Sequence, residues 1–345
     1  MEDCLLTKLS GQISSKEYIP SFGELIINFK KGNYKLTFNL RDSIHVRIEN
    51  GHFTDESLQQ NLGTTSELNR GYNTICILAE EGAYLSINNK YNIKSFGNYP
   101  YPLTKNGDIS FDISDIKYID ITSFYDYSYG IYGDIGGCSW NISGDLYFSD
   151  KVYGSIDDII INSDSLNRIS MGGTSIKDST NLSRLSNTLT ELSLSNNTPG
   201  LTLDLSIFRD FTKLSGNLKL NKSQVTGTID DLANTLLNGE LRIASEVVVG
   251  DLSKLPKDLK FFSAQGKGTF TWETERPPES VAFCVENVNL GNYVDAFLIN
   301  MDKCVVSSHH SRLMSLLGSR TSASDAAVAS LKSKGYIISV NFISL

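Results

Sequence analysis

The chain has 345 residues, 40% of them apolar and 20% charged, with 27 glycines and 7 prolines, the make-up of a folding chain rather than a disordered one. Its net charge of −8, with no basic run, excludes nucleic acid as a partner, because phosphate binding needs clustered Lys and Arg. No stretch approaches the roughly 20 apolar residues that span a bilayer, and the acidic start Met1-Glu2-Asp3 lacks the basic region of a signal peptide, so folding in a cytoplasm without membrane insertion is expected.

Residues 1–118 read as an N-terminal antiparallel β domain, a small sandwich or barrel. Gly23–Phe29 and Tyr34–Leu40 alternate apolar and polar residues around Lys30-Lys31-Gly32-Asn33, which predicts a hairpin with the lysines at its tip. Ile44–Ile48 continues the period of two. Thr74–Ile77 and Ala83–Ile87 read as two further strands divided by Glu80-Glu81-Gly82. His45 falls on the polar side of its strand, the place of a solvated histidine.

Tyr99-Pro-Tyr-Pro marks an exposed connection. Ile119, 27 residues before Leu146, is the expected start of a repeat array. The stretch between them carries Tyr125, Tyr127, Tyr129 and Tyr132 among Ser, Gly and Asp. Tyrosines in that company provide rigid amphipathic area at low entropic cost, so these four are the candidate ligand-binding residues; the plainer alternative is a cap over the first repeat's open edge.

Residues 119–275 carry the repeat. Leu146, Ile169, Leu192, Leu218 and Leu241 each open a two-residue apolar step, at intervals of 23, 23, 26 and 23 residues. Leu189-Thr-Glu-Leu192-Ser-Leu194-Ser-Asn-Asn197 fits the leucine-rich-repeat pattern. A second signature recurs as Gly154-Ser-Ile-Asp-Asp-Ile159, Gly227-Thr-Ile-Asp-Asp-Leu232 and Gly250-Asp-Leu-Ser-Lys-Leu255. Each unit predicts a strand, a turn and an irregular return, stacked on its neighbours around one shared core: a leucine-rich-repeat-like solenoid.

The pairs Asp157-Asp158 and Asp230-Asp231 have the residue type of glycosidase carboxylates. Adjacent aspartates point in different directions, however, and both pairs recur at one repeat position, where a turn or helix cap explains them. No Ser-His-Asp order, phosphate loop or dinucleotide glycine motif occurs. His309-His310 lacks a third ligand nearby, and Cys4, Cys76, Cys138, Cys284 and Cys304 are scattered without CxxC spacing, as reduced thiols are. A non-enzymatic chain without metal or cofactor is expected.

Phe270-Thr-Trp272 and Arg276-Pro-Pro are expected to close the array. Residues 276–345 then read as a small α/β capping or docking unit. It holds a strand near Val281–Val285, a helix capped by Asn292 that buries Val294, Ala296, Phe297, Leu298, Met301 and Cys304, a helix Ala326–Lys334 ended by Gly335, and a last strand Tyr336–Phe342.

The opening Met1–Lys8 with Gly23-Glu-Leu25, the Phe270-Thr-Trp272 and Arg276-Pro277 pair, and the closing segments Val294–Leu298 and Ala323–Gly335 together resemble a leucine-rich-repeat-like protein type of Bacteroidales bacteria and their gut phages, including crAss-like phages. The resemblance touches both ends and the repeat. It implies a virion structural protein, a tail or head fibre or appendage component assembled in the bacterial cytoplasm, with a repeat surface for host attachment or virion assembly. It carries over no catalytic residue. The implied partners are other virion proteins, a host surface glycan or protein, and further copies of the chain in a homo-oligomer. The alternative is a bacterial leucine-rich-repeat interaction protein or adhesin, which an export signal would favour.

Overall fold

The computed structural model describes residues 24–345 apart from 30, 55–60, 89–92, 98–110, 116–117, 122, 126–130, 149–150, 172–174, 178–180, 195–200, 221–223 and 267. The described chain is mainly strand with few helices.

The N-terminal strands are antiparallel, but they are organised around one long strand rather than around a hairpin. Thr74–Ile77 and Ala83–Ile87 are parts of a single strand, Gly71–Asn88. Glu24–Phe29 pairs with its second half, Phe29 opposite Ala83, and Gly32–Leu40 pairs with its first half, Gly32 opposite Ala79. The two short strands therefore run in the same direction along one partner. Lys30 lies outside the described residues; Lys31 is not at a hairpin tip, and its Nζ meets Glu80 Oε2 at 2.7 Å. Opposite charge across the step, with Gly82 at φ 72°, allows one strand to continue where composition alone reads as a break. Ile44–Thr54 covers the other side of the long strand. Alternate residues such as Leu36, Phe38, Val46, Ile77 and Leu85 are buried, as a sheet with one covered face requires.

This sheet does not end where the repeats begin. Ile93–Gly97 pairs antiparallel with Gly32–Leu40 and parallel with Ser123–Tyr125, so hydrogen bonding runs from one region into the next. From Phe124 to Ile338 the ladder pairing is parallel, with register shifts where Cys284–Gly291 meets Leu313–Gly318. Phe124, Leu146, Ile169, Leu192, Leu218, Leu241, Phe262, Val285, Met314 and Ile338 face one another in a single column. Every one of them is buried. The spacings seen in the sequence are thus the strand-to-strand steps of a ladder.

Two expectations about its limits are corrected. Ile119 is not the first rung: Tyr118–Ile121 pairs with Ser139–Ile142 in a separate small sheet, and Phe124, 22 residues before Leu146, takes the place. Nor does Phe270–Trp272 close the array. Cys284–Gly291, Leu313–Gly318 and Ile337–Val340 extend the same parallel ladder past residue 275, and Ile343–Ser344 adds an antiparallel edge. One long interval interrupts the late rungs: 29 residues separate Val285 from Met314, against 23 from Phe262 to Val285 and 24 from Met314 to Ile338.

Each unit runs from a ladder strand to a short second strand and then to a tight helical turn. Thr202–Asp204 pairs with Gln224–Thr226, and Val152–Ser155 with Ile131–Asp134 and Ser175–Lys177, all in parallel. The turns are the helix α1, Asp157–Ile160, and 3-10 segments such as Leu205–Asp210, Ile229–Leu232 and Leu252–Lys254. Asp204, Thr228 and Asp251 cap three of them, each accepting the backbone N–H two residues on. The recurring glycines fit against such caps. Gly154, Gly227 and Gly250 have φ of 126°, 92° and 135°, and a Cβ there would meet Asp134 Oδ1 at 2.6 Å, Asp204 Oδ1 at 3.0 Å and Thr228 Oγ1 at 2.6 Å. Only a residue without a side chain lets one unit close on the cap of the unit before it.

Two longer helices replace the tight turns near the end: α2, Val294–Lys303, and α3, Asp325–Ser333. Asn292 does not cap α2; Tyr293 is the residue before it, with no side-chain bond, and the buried set includes Asn300 while Ala296 is exposed. Thr321 caps the turn leading into α3, and Gly335 follows it at φ 88°.

Candidate functional site

Of the four tyrosines singled out in the sequence, Tyr125 and Tyr132 fall on strands of different sheets. Tyr127 and Tyr129 lie outside the described residues. Tyr125 is a rung position, facing Tyr147 and Gly97. Tyr132 belongs to the second set of strands, in Ile131–Asp134. It is 38% exposed, and Tyr153, 50% exposed on the neighbouring strand, shares its outward side.

The larger feature is the outward face of the ladder. Residues alternate across a strand, so the column of buried leucines fixes an outward column between them. That column reads Tyr147, Ser170, Ser193, Lys219, Arg242, Ser263 and Glu286. A second outward row holds Asp145, Arg168 and Glu191.

Polar contacts link these rows from rung to rung. Asn217 Nδ2 donates to Glu191 Oε1 at 2.6 Å, and Asn217 Oδ1 accepts the Glu240 N–H at 2.9 Å. Glu240 is the hub. Its Oε2 lies 2.9 Å from both Lys219 Nζ and Arg242 Nε, and its Oε1 is 3.3 Å from His309 Nε2. Burial alone would raise the Glu240 pKa; the bonds from Arg242, Lys219 and His309 outweigh it and bring the carboxyl down to about 2. Farther along, burial and then the charge of Glu191 hold the Tyr147 phenol above its ordinary value, against a hydrogen bond from Arg168.

The loop between Val305–Val306 and Leu313–Gly318 crosses this face and covers its far part. His309 stacks on Phe261 at 5.1 Å between centroids, and the Arg242 guanidinium carbon lies 4.4 Å over the same ring. Ser307 donates its backbone N–H to Tyr336 Oη at 2.8 Å, and Tyr336 donates to Ala282 O at 3.1 Å. Phe261 and Cys284, outward residues by register, are consequently buried. Cys284 and Cys304 are free thiols.

His309 and His310 stack at 4.3 Å. Ser311 Oγ is 2.9 Å from His309 Nδ1, and the Ser311 backbone N–H donates to the same nitrogen at 3.4 Å. That lone pair closes a two-residue turn, and Nε2–H is left to face Glu240. Among the described residues no group of three His, Cys, Asp or Glu is placed to hold a metal ion. Among them, too, no helix is long and apolar enough to cross a membrane.

The aspartate pairs serve the repeat. Asp157 Oδ1 accepts the Asn181 N–H at 2.9 Å, and Asp230 Oδ1 accepts the Asp251 N–H at 2.7 Å. In each case the first aspartate holds the backbone of the following unit. Asp231 reaches back to Arg209 in the preceding one, at 2.7 Å. Asp157 and Asp230 are three ladder steps apart, about 14 Å at ~4.8 Å per strand, beyond the range of a glycosidase pair.

The alternation could have shown Lys219, Arg242 and Glu240 in the sequence, because they flank the rung leucines. His309 could not be found that way; it sits in the long interval before Met314. Comparison with known protein families, with curated proteins and with solved structures finds no match to this chain.

Proposed function

We propose that the chain is a leucine-rich-repeat-like solenoid that serves as a non-enzymatic structural and docking component of a phage particle, in a tail or head fibre or appendage. The observation that carries this reading is the parallel ladder from Phe124 to Ile338, which sets out an outward row through Tyr147, Ser170, Ser193 and Lys219 ahead of the part that the loop after Val306 covers. Repeated stacking of this kind gives an extended surface that binds by many modest contacts. Lys219, Glu240 and Arg242 are already paired along that face, so little side-chain freedom is lost when a partner lands there. The partners on this reading are other virion proteins and further copies of the chain. The exposed Tyr132 and Tyr153 are the place for a host surface glycan or protein.

The resemblance of both chain ends and of the repeat to phage appendage proteins supports the placement in a virion. Mass spectrometry of purified particles from the phage that encodes the chain tests it. Recovery in fixed stoichiometry with the known coat and tail proteins is expected; particles that lack the chain overturn the reading. Light scattering of the purified chain tests self-association, with a stable oligomer expected and a monomer at all concentrations arguing against a self-assembling fibre.

A further inference from the structure

Arg276 is 3% exposed and makes no ion pair with a carboxylate among the described residues. Its main chain is fixed by Asn300, which accepts the Arg276 N–H at 2.7 Å and donates to the Arg276 carbonyl at 3.2 Å. Its guanidinium lies 4.8 Å over the Phe283 ring. One nitrogen, Nη2, donates to Pro256 O at 2.8 Å. The other two, Nε and Nη1, are buried and meet no acceptor. Burial lowers the Arg276 pKa to about 10, against weaker raising effects from Cys304 and Asp258.

The other orphaned groups of this segment are of the same kind. Trp272 Nε1 is buried without an acceptor, and its ring packs against Phe283, the ring that also lies under Arg276. Ser280 Oγ is buried without a partner in the turn that Ser280 N–H closes onto Pro277 O. Indole N–H, guanidinium N–H and a hydroxyl that can donate thus share one stretch, beside a fixed positive charge. A water molecule would serve the donors but would leave the guanidinium charge without a counter-ion. A small anion satisfies the donors and neutralises the charge, and an unpaired buried cation is costly enough to need such a counter-ion.

We infer that Arg276, with Trp272 and Ser280, forms a buried site for a monovalent halide, chloride in the cell. The ion would tie the segment after Phe270–Thr271 to α2 through the Arg276–Asn300 clasp. This proposal is independent of the proposed function, since it concerns the interior of the ladder and not its outward face.

The test uses the full chain. Thermal unfolding in sodium chloride is compared with sodium gluconate at equal ionic strength, and crystals are grown with bromide in place of chloride. A higher Tm in chloride is expected, by roughly 2–4 °C at a tenfold excess over its dissociation constant, together with an anomalous bromide peak beside Arg276 Nε and Nη1. Arg276→Met abolishes both. Should that variant fail to fold, Trp272→Phe keeps the ring, removes one donor and reduces the chloride dependence. Equal Tm values in the two salts overturn the proposal, whether the crystals show no peak, a water, or a bromide bound at crystal concentration only.

Discussion

Gly250→Ala is the substitution that asks most of the repeat. The new Cβ would lie 2.6 Å from Thr228 Oγ1, 2.7 Å from Asp230 Oδ1 and 2.7 Å from Ile229 Cγ1, all in the preceding unit. It would also force alanine to adopt φ 135°. The backbone strain costs about 1–3 kcal/mol, and the overpacking adds about 1–3 kcal/mol, so a loss near 4 kcal/mol is expected. Gly71→Ala separates the two parts, because Gly71 has φ 102° and nothing within 4 Å of a Cβ. It should lose only the backbone share. Urea unfolding of both variants, read as midpoint at unchanged slope, measures the difference. Equal midpoints for the two would refute the idea that the recurring glycine exists to receive the cap of the unit before it.

Three further outcomes follow from the outward face. Glu240 has its folded pKa depressed to about 2, so its contribution to stability is full above the ordinary carboxylate pKa and is lost as pH falls from about 4.5 towards 2. Allowing for solvent screening, Glu240→Gln should remove about 1–2 kcal/mol at neutral pH and flatten the acid limb of the stability curve over that window. Tyr336→Phe leaves the buried Ser307 N–H and the Ala282 carbonyl without their shared hydroxyl and should cost about 1–3 kcal/mol in chemical denaturation. His309→Ala removes the ring stacked on Phe261, and hydrogen exchange should quicken at residues 307–312 while the rung at Leu146 keeps its protection.

The repeat was legible because burial writes itself into spacing. Leu146, Ile169, Leu192, Leu218 and Leu241 must all enter one core, and residues that face inward at each strand crossing cannot be polar without loss. The same logic misled at the ends. Ile119 is apolar and lies at a credible distance, yet it pairs with Trp140 in a side sheet, because spacing records burial and not the identity of the partner strand. Past residue 275 the rungs persist, but α2 and the Val305–Arg312 segment stretch the interval between Val285 and Met314, and period-based reading loses the count there. The N-terminal strands show a different gap. Alternation identified Tyr34–Leu40 as a strand, but the choice between folding back on its neighbour and joining a common partner is made by long-range pairing with Gly71–Asn88. The outward network was half legible: its charged residues sit where alternation puts them, while His309 arrives from a loop.

What the aspartate pairs contribute is register, and the argument turns on how little the core itself specifies. A column of leucine-like residues stacks almost as well when one unit is displaced along its strand by two positions, since the same faces stay buried. Leu192 and Leu194 are both fully buried, so apolar contact alone does not choose between them. The bond from Asp157 to the Asn181 N–H, and that from Asp230 to the Asp251 N–H, each connect a turn to one particular backbone group in the next unit. Slippage by two residues would break such a bond and leave a partly buried carboxylate without it. Adding the glycines that accept one cap and no other, the polar residues of the signature hold the phase of the stack, and the leucines hold it together. Residues that first read as a possible pair of catalytic acids are thereby engaged in bonds between successive turns.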